Sequence, residues 1–253
     1  YINKNVNDNI IKEIMKKIIT TLAFVALSTV SAKAIDLPDL GMFSVTAGLA
    51  ANQGVFGASA TETSQDGAGV DRSKKTEHGV FTDSYNSQFI ELGVGQWLSV
   101  GYEHTPDSIS TPQNITRETN ATEIGKVSVD FNDLNTTYLK LNLPYFTGMY
   151  AKYGAVEVDL DIKETMGSGS TYANKNTEGE MFGLGYAGYF KETGFGFRVE
   201  GSYVSLDAVS TDNGIAKGTV NSAAGSVNNN RIDAKNLEGL QAKLAVVYTF
   251  GKN

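Results

Sequence analysis

Period-two alternation of apolar and polar side chains is the feature that most narrows what this chain can fold into. In "EMFGLGYAGYFKETGFGFRVEGSYV", Glu180 to Val204, the residues Phe182, Leu184, Tyr186 and Phe190 share one parity before the turn "KETG". Phe195, Phe197, Val199 and Tyr203 share one parity after it, with mostly glycines and charges between. Such a period puts successive side chains on opposite faces of a strand, and two runs around a short Gly-containing turn predict a hairpin. The pattern recurs in "MFSVTAGLAAN", "QFIELGVG", "LSVGYEH", "TTYLKLNL", "GAVEVDLDI" and "GLQAKLAVVYTF", so eight strands are expected.

The connections sharpen that reading. Short ones at Gly95–Trp97, Pro144–Gly148 and Lys191–Gly194 alternate with long ones at 53–86, 105–134, 163–178 and 208–236. The long ones are rich in Ser, Thr, Asn, Asp and Gly, and structureless loops of that length are rare in a compact soluble domain. Tight turns alternating with long loops predict an all-β, transmembrane, antiparallel up-and-down β-barrel of eight strands, with short periplasmic turns and long extracellular loops. The ringed apolar face is then lipid-facing and the glycine-and-charge face points inside. A soluble lipocalin-like barrel would leave that aromatic face in water as one large apolar band. "KVSVDF", with Val127, Val129 and Phe131 in alternation, either extends a strand or forms a small loop hairpin.

Aromatic residues gather beside the short turns: Trp97, Tyr145, Phe146, Tyr150, Phe190, Phe195 and Phe197. Amphipathic rings favour the headgroup level, so these seven predict a periplasmic aromatic girdle. Lys152, assigned to the lipid-facing parity near a turn, is expected to snorkel to the interface.

The start of the chain carries a different pattern. "MKKIITTLAFVALSTVSAKA", Met15 to Ala34, has a Lys16-Lys17 n-region, an apolar stretch and a small-x-small end, the layout of a cleaved Sec signal peptide. Its apolar run is shorter than the ~20 residues of a spanning helix. Residues 1–14 read as leader sequence upstream of Met15, and 35–253 as the barrel. Of the 21 bases and 28 acids, five and two precede residue 35, leaving 16 bases against 26 acids. An exported chain so acidic, without a basic stripe, is a poor nucleic-acid binder. With no cysteine, disulfides and Cys-based zinc sites are excluded.

The polar parity collects Glu91, Glu103, Lys140, Glu157, Asp159, Arg198, Glu200 and Lys243 as an expected interior charge network. Isolated buried ions would cost several kcal/mol each, so they must pair. Inward glycines leave volume for them. Two functions fit: a salt-bridged plug that fixes register, or a narrow ion path; the small bore of an eight-stranded ring favours the plug. Catalysis is not expected. The histidines, His78 in "KKTEHG" and His104 in "YEHTPDS", sit in no recognisable hydrolase motif. No cofactor and no metal site are expected, since "SQDGAGVD" lacks EF-hand spacing.

Over residues 41–250 the chain resembles small outer-membrane β-barrels of the opacity-protein/surface-antigen and OmpA-type class. The most specific element is the last strand, "LQAKLAVVYTF", whose Leu244, Val246, Tyr248 and Phe250 resemble the C-terminal signal read by the barrel-assembly machinery. "GKN" after Phe250 departs from the pattern, in which the aromatic often ends the chain. The resemblance implies a monomer in a Gram-negative outer membrane. Its partners would be lipids, the assembly machinery and an extracellular ligand or host surface met by the loops. Two roles remain: a structural and surface-interaction protein, or a narrow porin or channel for small hydrophobic molecules. If the signal peptide is read correctly, N-terminal sequencing of the exported protein will begin Ile35-Asp36-Leu37; a start at Met15 would overturn cleavage.

Overall fold

The computed structural model describes residues 42–65, 70–117, 124–165, 171–190, 193–216 and 229–251. The expected leader (1–14) and signal peptide (15–34) lie outside the described residues. In chain order the strands are β1 (Phe43–Gln65), β2 (Asp71–Val94), β3 (Leu98–Thr105), β4 (Ile109–Ser110), β5 (Asn114–Arg117), β6 (Ile124–Asn142), β7 (Met149–Thr165), β8 (Lys175–Tyr189), β9 (Phe195–Leu206), β10 (Val209–Asp212) and β11 (Asn230–Phe250). All pair antiparallel in one sheet, ordered β1-β2-β3-β6-β7-β8-β9-β11-β10, with β4 and β5 on β6 and an added β1–β11 pairing.

This corrects the expected eight-stranded up-and-down barrel: the sheet has eleven strands. The polar stretches expected as loops are largely strand. β1 and β2 continue as a ladder to Ser64–Ser73 and Gln65–Asp71, and the Thr61 and Thr76 hydroxyls bond across it at 2.9 Å. Threonine pairs hold a sheet without an apolar face, which is why composition alone misread them. Pro106 and Pro112, lacking N–H groups, interrupt the run after β3 and leave β4 and β5 as short pieces on β6. β10 folds back on Arg231–Ala234 of β11.

The sheet joins on itself through β1 and β11, from Val45–Phe250 to Ser64–Asn230. From Leu49 the pairs run one way through Gln88, His104, Asn135 and Glu157 to Glu178. The other way they run through Val246 and Phe197 to Gly188. The two paths meet β8 ten residues apart, the stagger that tilts strands around a closed ring. The short turns close on glycines in the left-handed region, Gly148 (φ 84°) and Gly194 (φ 72°) among them.

Polarity inverts along the strands. Toward the short turns Leu49, Leu139, Leu184, Val199 and Leu244 face outward and exposed, while charges face inward. Farther up, Val156, Val158 and Leu160 are buried, and Tyr138, Val156, Met181 and Val204 form an interior apolar cluster with Leu134 and Leu206 against it. The predicted facing of "GAVEVDLDI" is therefore reversed. A bulge between Asn132 and Asn135, with Asp133 at φ 49°, shifts parity on β6, so that Phe131 pairs with buried Leu160. Phe131 lies 6.4 Å from Phe81, which stacks on Phe56 at 5.3 Å, continuing the apolar filling. On the outward parity here, the exposed Lys163 pairs with the buried Asp130, and with Ser110 it holds that carboxyl below its ordinary range. Above the apolar band β1 runs on from Val55 to Gln65, a rise of roughly 25 Å for a tilted strand.

Because Leu184 lies in the outward apolar band and Thr82 lies above it, Leu184→Arg should cost about 2–4 kcal/mol of folding in bilayers. Thr82→Arg should cost under about 1 kcal/mol in the same urea titration in lipid vesicles. Equal losses would show that the band is misplaced.

Candidate functional site: a buried charge network inside the closed sheet

Seven ionisable side chains meet in the interior at the level of the apolar band: Glu91 on β2, Glu103 on β3, Lys140 on β6, Lys152 on β7, Arg198 and Glu200 on β9, and Lys243 on β11. All are buried, none more than 7% exposed. Each lies on the inward parity of its strand, so the period-two pattern brings them together from six strands.

They sort into two groups. Nearer the short turns, Arg198 grips Glu91 with both terminal nitrogens, Nη1 to Oε1 at 2.5 Å and Nη2 to Oε2 at 2.7 Å. Lys140 Nζ donates to the same Oε2 at 2.5 Å, and the Tyr138 hydroxyl to Oε1 at 2.8 Å. Farther up, Lys243 donates to Glu103 at 2.6 Å and to Glu200 at 3.3 Å. Lys152 donates to Glu200 at 3.1 Å and to Glu103 at 3.4 Å. Ser87 and Tyr150 hydroxyls complete Glu103 and Glu200 at 2.7 and 2.9 Å. Every carboxylate oxygen is thus engaged, as a buried ion requires.

Rings and glycines set the spacing. Lys152 Nζ sits 3.9 Å from the Tyr138 ring centroid, a cation–π contact. A Cβ on Gly101 would fall 2.3 Å from the Tyr138 ring, and one on Gly185 2.3 Å from the Tyr150 ring. The space at these two glycines therefore holds rings rather than charged chains. Above the network a void of ≈ 10 Å³, bordered by Tyr85, Lys243, Val156, Met181 and Val204, has room for about one water.

Of the residues named from sequence, Glu91, Glu103, Lys140, Arg198, Glu200 and Lys243 meet here. Glu157 and Asp159 do not: they face outward, because on β7 the even-numbered residues face in and the apolar set fills the interior above the band. Lys152 is likewise corrected, from a snorkelling position to the centre of the network. Tyr150 leaves the expected girdle for the same reason of parity and is 1% exposed. Trp97, Tyr145, Phe146, Phe190, Phe195 and Phe197 are exposed at the short-turn end. Leu244 and Val246 face outward, and the Tyr248 ring packs edge-on against Phe195 and Phe250.

Sequence reading missed a second aromatic level on the outer surface. Tyr102 donates to Asn135 at 2.6 Å, and the Tyr153 and Tyr203 hydroxyls lie toward Glu180 and Glu238. In each, an outward ring lies in the band and its hydroxyl reaches a polar group on the long-loop side. Tyrosine on outward parity beside a polar residue of the next strand was the available signal. His104 belongs to this surface, with Nδ1 2.8 Å from Asn135 Oδ1, and His78 is exposed on β2. Among the described residues no group of acids and histidines is arranged to hold a metal ion.

No family model matches the chain, and no curated protein sequence matches it. The fold is similar to that of the outer membrane protein OprG from Pseudomonas aeruginosa, at 14% identity and TM-score 0.51, covering 81% of this chain and 97% of that one. Weaker likenesses, both at TM-score 0.39, are to the outer membrane protein AlkL in DMPC bilayers and the outer membrane protease OmpT of Escherichia coli. AlkL is 14% identical, covering 80% of this chain and 90% of that one; OmpT is 9% identical, covering 81% and 97%. Without a family match and with eleven strands, the assignment to the small opacity-protein/surface-antigen and OmpA-type class is corrected to a broader one. The chain has a β-rich fold distantly like that of outer-membrane proteins.

Proposed function

We propose that this chain is an integral protein of a Gram-negative outer membrane that acts as a structural and surface-interaction protein, without a catalytic step or cofactor. The observation that carries the reading is the interior filled by the paired charges and, above them, by an apolar cluster. A sheet filled this way anchors and presents; it does not conduct. The outward apolar band supports lipid contact, since a bilayer tolerates strands only when their backbone groups are paired. The extended β1–β2 ladder and β5–β6–β7 stand beyond the band, where they would meet an external ligand or surface. The last strand, with Leu244, Val246, Tyr248 and Phe250 outward, would engage the barrel-assembly machinery during insertion, and the folded protein would act as a monomer.

The refolded protein in planar bilayers should give no unitary conductance steps, and its unboiled form should migrate anomalously on SDS gels. Arg198→Ala should cost about 3–5 kcal/mol, because Glu91 loses two charge-assisted hydrogen bonds in a dry interior even though Lys140 still offsets its charge. A loss near ~1 kcal/mol, typical of a hydrated pair, together with conductance steps would favour a narrow channel instead. Recovery from the soluble periplasmic fraction would overturn the membrane reading altogether.

A further inference from the structure

The charges of the interior network do not sum to zero, and the imbalance has an address. The upper group, Glu103 and Glu200 with Lys152 and Lys243, balances two acids against two bases. The lower group sets Glu91 alone against Lys140 and Arg198. One positive charge is left over, at the end of the interior nearest the short turns. An uncompensated ion in a dry interior is strongly unfavourable.

A second observation falls at the same place. Arg198 uses Nη1 and Nη2 on Glu91, and its Nε is a buried donor with no partner. End-on engagement of the fork directs that Nε–H away from the carboxylate. On the short-turn side lie hydroxyl groups: Thr46 and Thr249, hydrogen-bonded to each other at 2.8 Å, and that of Tyr189, on the same inward parity of β8 as Ala187, the residue that pairs with Arg198. Thr46 and Thr249 are buried, whereas Tyr189 is 37% exposed at the mouth.

We infer that the short-turn end of the interior binds one small monovalent inorganic anion, of the chloride class, against Arg198 Nε. One negative charge neutralises the lower group, and the orphaned N–H and neighbouring hydroxyls supply its ligands. A divalent anion would reverse the imbalance rather than remove it. The apolar cluster of Tyr138, Val156, Met181 and Val204 lies between this site and the long-loop end, so the anion is held there and not passed through.

The test uses the refolded chain in phosphatidylcholine vesicles, unfolded by urea in sodium chloride and in sodium gluconate at equal ionic strength. Above the dissociation constant, the folding equilibrium constant should rise about tenfold per tenfold increase in chloride, as linkage to one site requires. In gluconate it should not rise. Lys140→Met leaves Glu91 and Arg198 as a neutral pair and should flatten the chloride dependence. If that variant does not fold, crystals of the unaltered protein grown in bromide give an independent answer, an anomalous peak beside Arg198 Nε. Superimposable chloride and gluconate curves, or bromide peaks confined to the outer surface, would overturn the proposal.

Discussion

Everything in this fold depends on the β1–β11 ladder. Nineteen residues of β1 pair with β11, from Val45–Phe250 to Ser64–Asn230, and through them the first and last strands of the sequence become neighbours. Without that ladder, β1 and β11 would leave rows of unpaired N–H and C=O groups beside the apolar band, and in the membrane setting proposed above each would cost several kcal/mol. With it, the strands of the ring have partners on both sides at the level of the apolar band, and the outer surface can be built from Leu, Val and aromatic rings. The contacts that close the sheet are therefore strongly non-local, from Val45–Phe250 to Ser64–Asn230, the kind of pairing that is slow to form because loop-closure entropy is paid first.

Closure creates an inside, and the inside must be filled. The chain fills it in two layers with different chemistry. At band level, long charged side chains reach across the bore and satisfy one another, with Tyr138 and Tyr150 supplying hydroxyls to the carboxylates. Above, Val156, Met181 and Val204 pack as they would in a water-soluble sheet, and the acids of β7 turn outward. The change fits the membrane placement proposed above. Where the outside is lipid the polar face has to be interior; where the outside is water it does not.

Much of this was legible from residue order. Alternation around "KETG" gave the hairpin and its facing, and the same parity gathered Glu91, Glu103, Lys140, Arg198, Glu200 and Lys243. What escaped did so for specific reasons. A single rule, apolar outward, was carried up β7 past the level where it holds, which misplaced Glu157, Asp159 and Lys152. Tyr150 was grouped by nearness to a turn when parity was the better guide. The upper strands were hidden by their composition, since "SATETSQ" and "DRSKKTEHG" are as polar as any loop and owe their order to pairing with each other. The interruption of β3 by Pro106 and Pro112 was visible in sequence, but the pieces beyond it, β4 and β5, are too short to carry a periodic signal.

The inversion along β7 bears on how this protein can change over generations. Lys152 and Val156 lie four residues apart on the same inward face of one strand. At the first position a drift toward an aliphatic residue would strip Glu200 and Glu103 of a cation. At the second, a drift toward lysine would place an unmatched ion among Tyr138, Met181 and Val204. A substitution tolerated at one is harmful at the other, although strand, facing and neighbours in sequence are nearly alike. Selection on this chain therefore reads height above the short turns as much as it reads residue type.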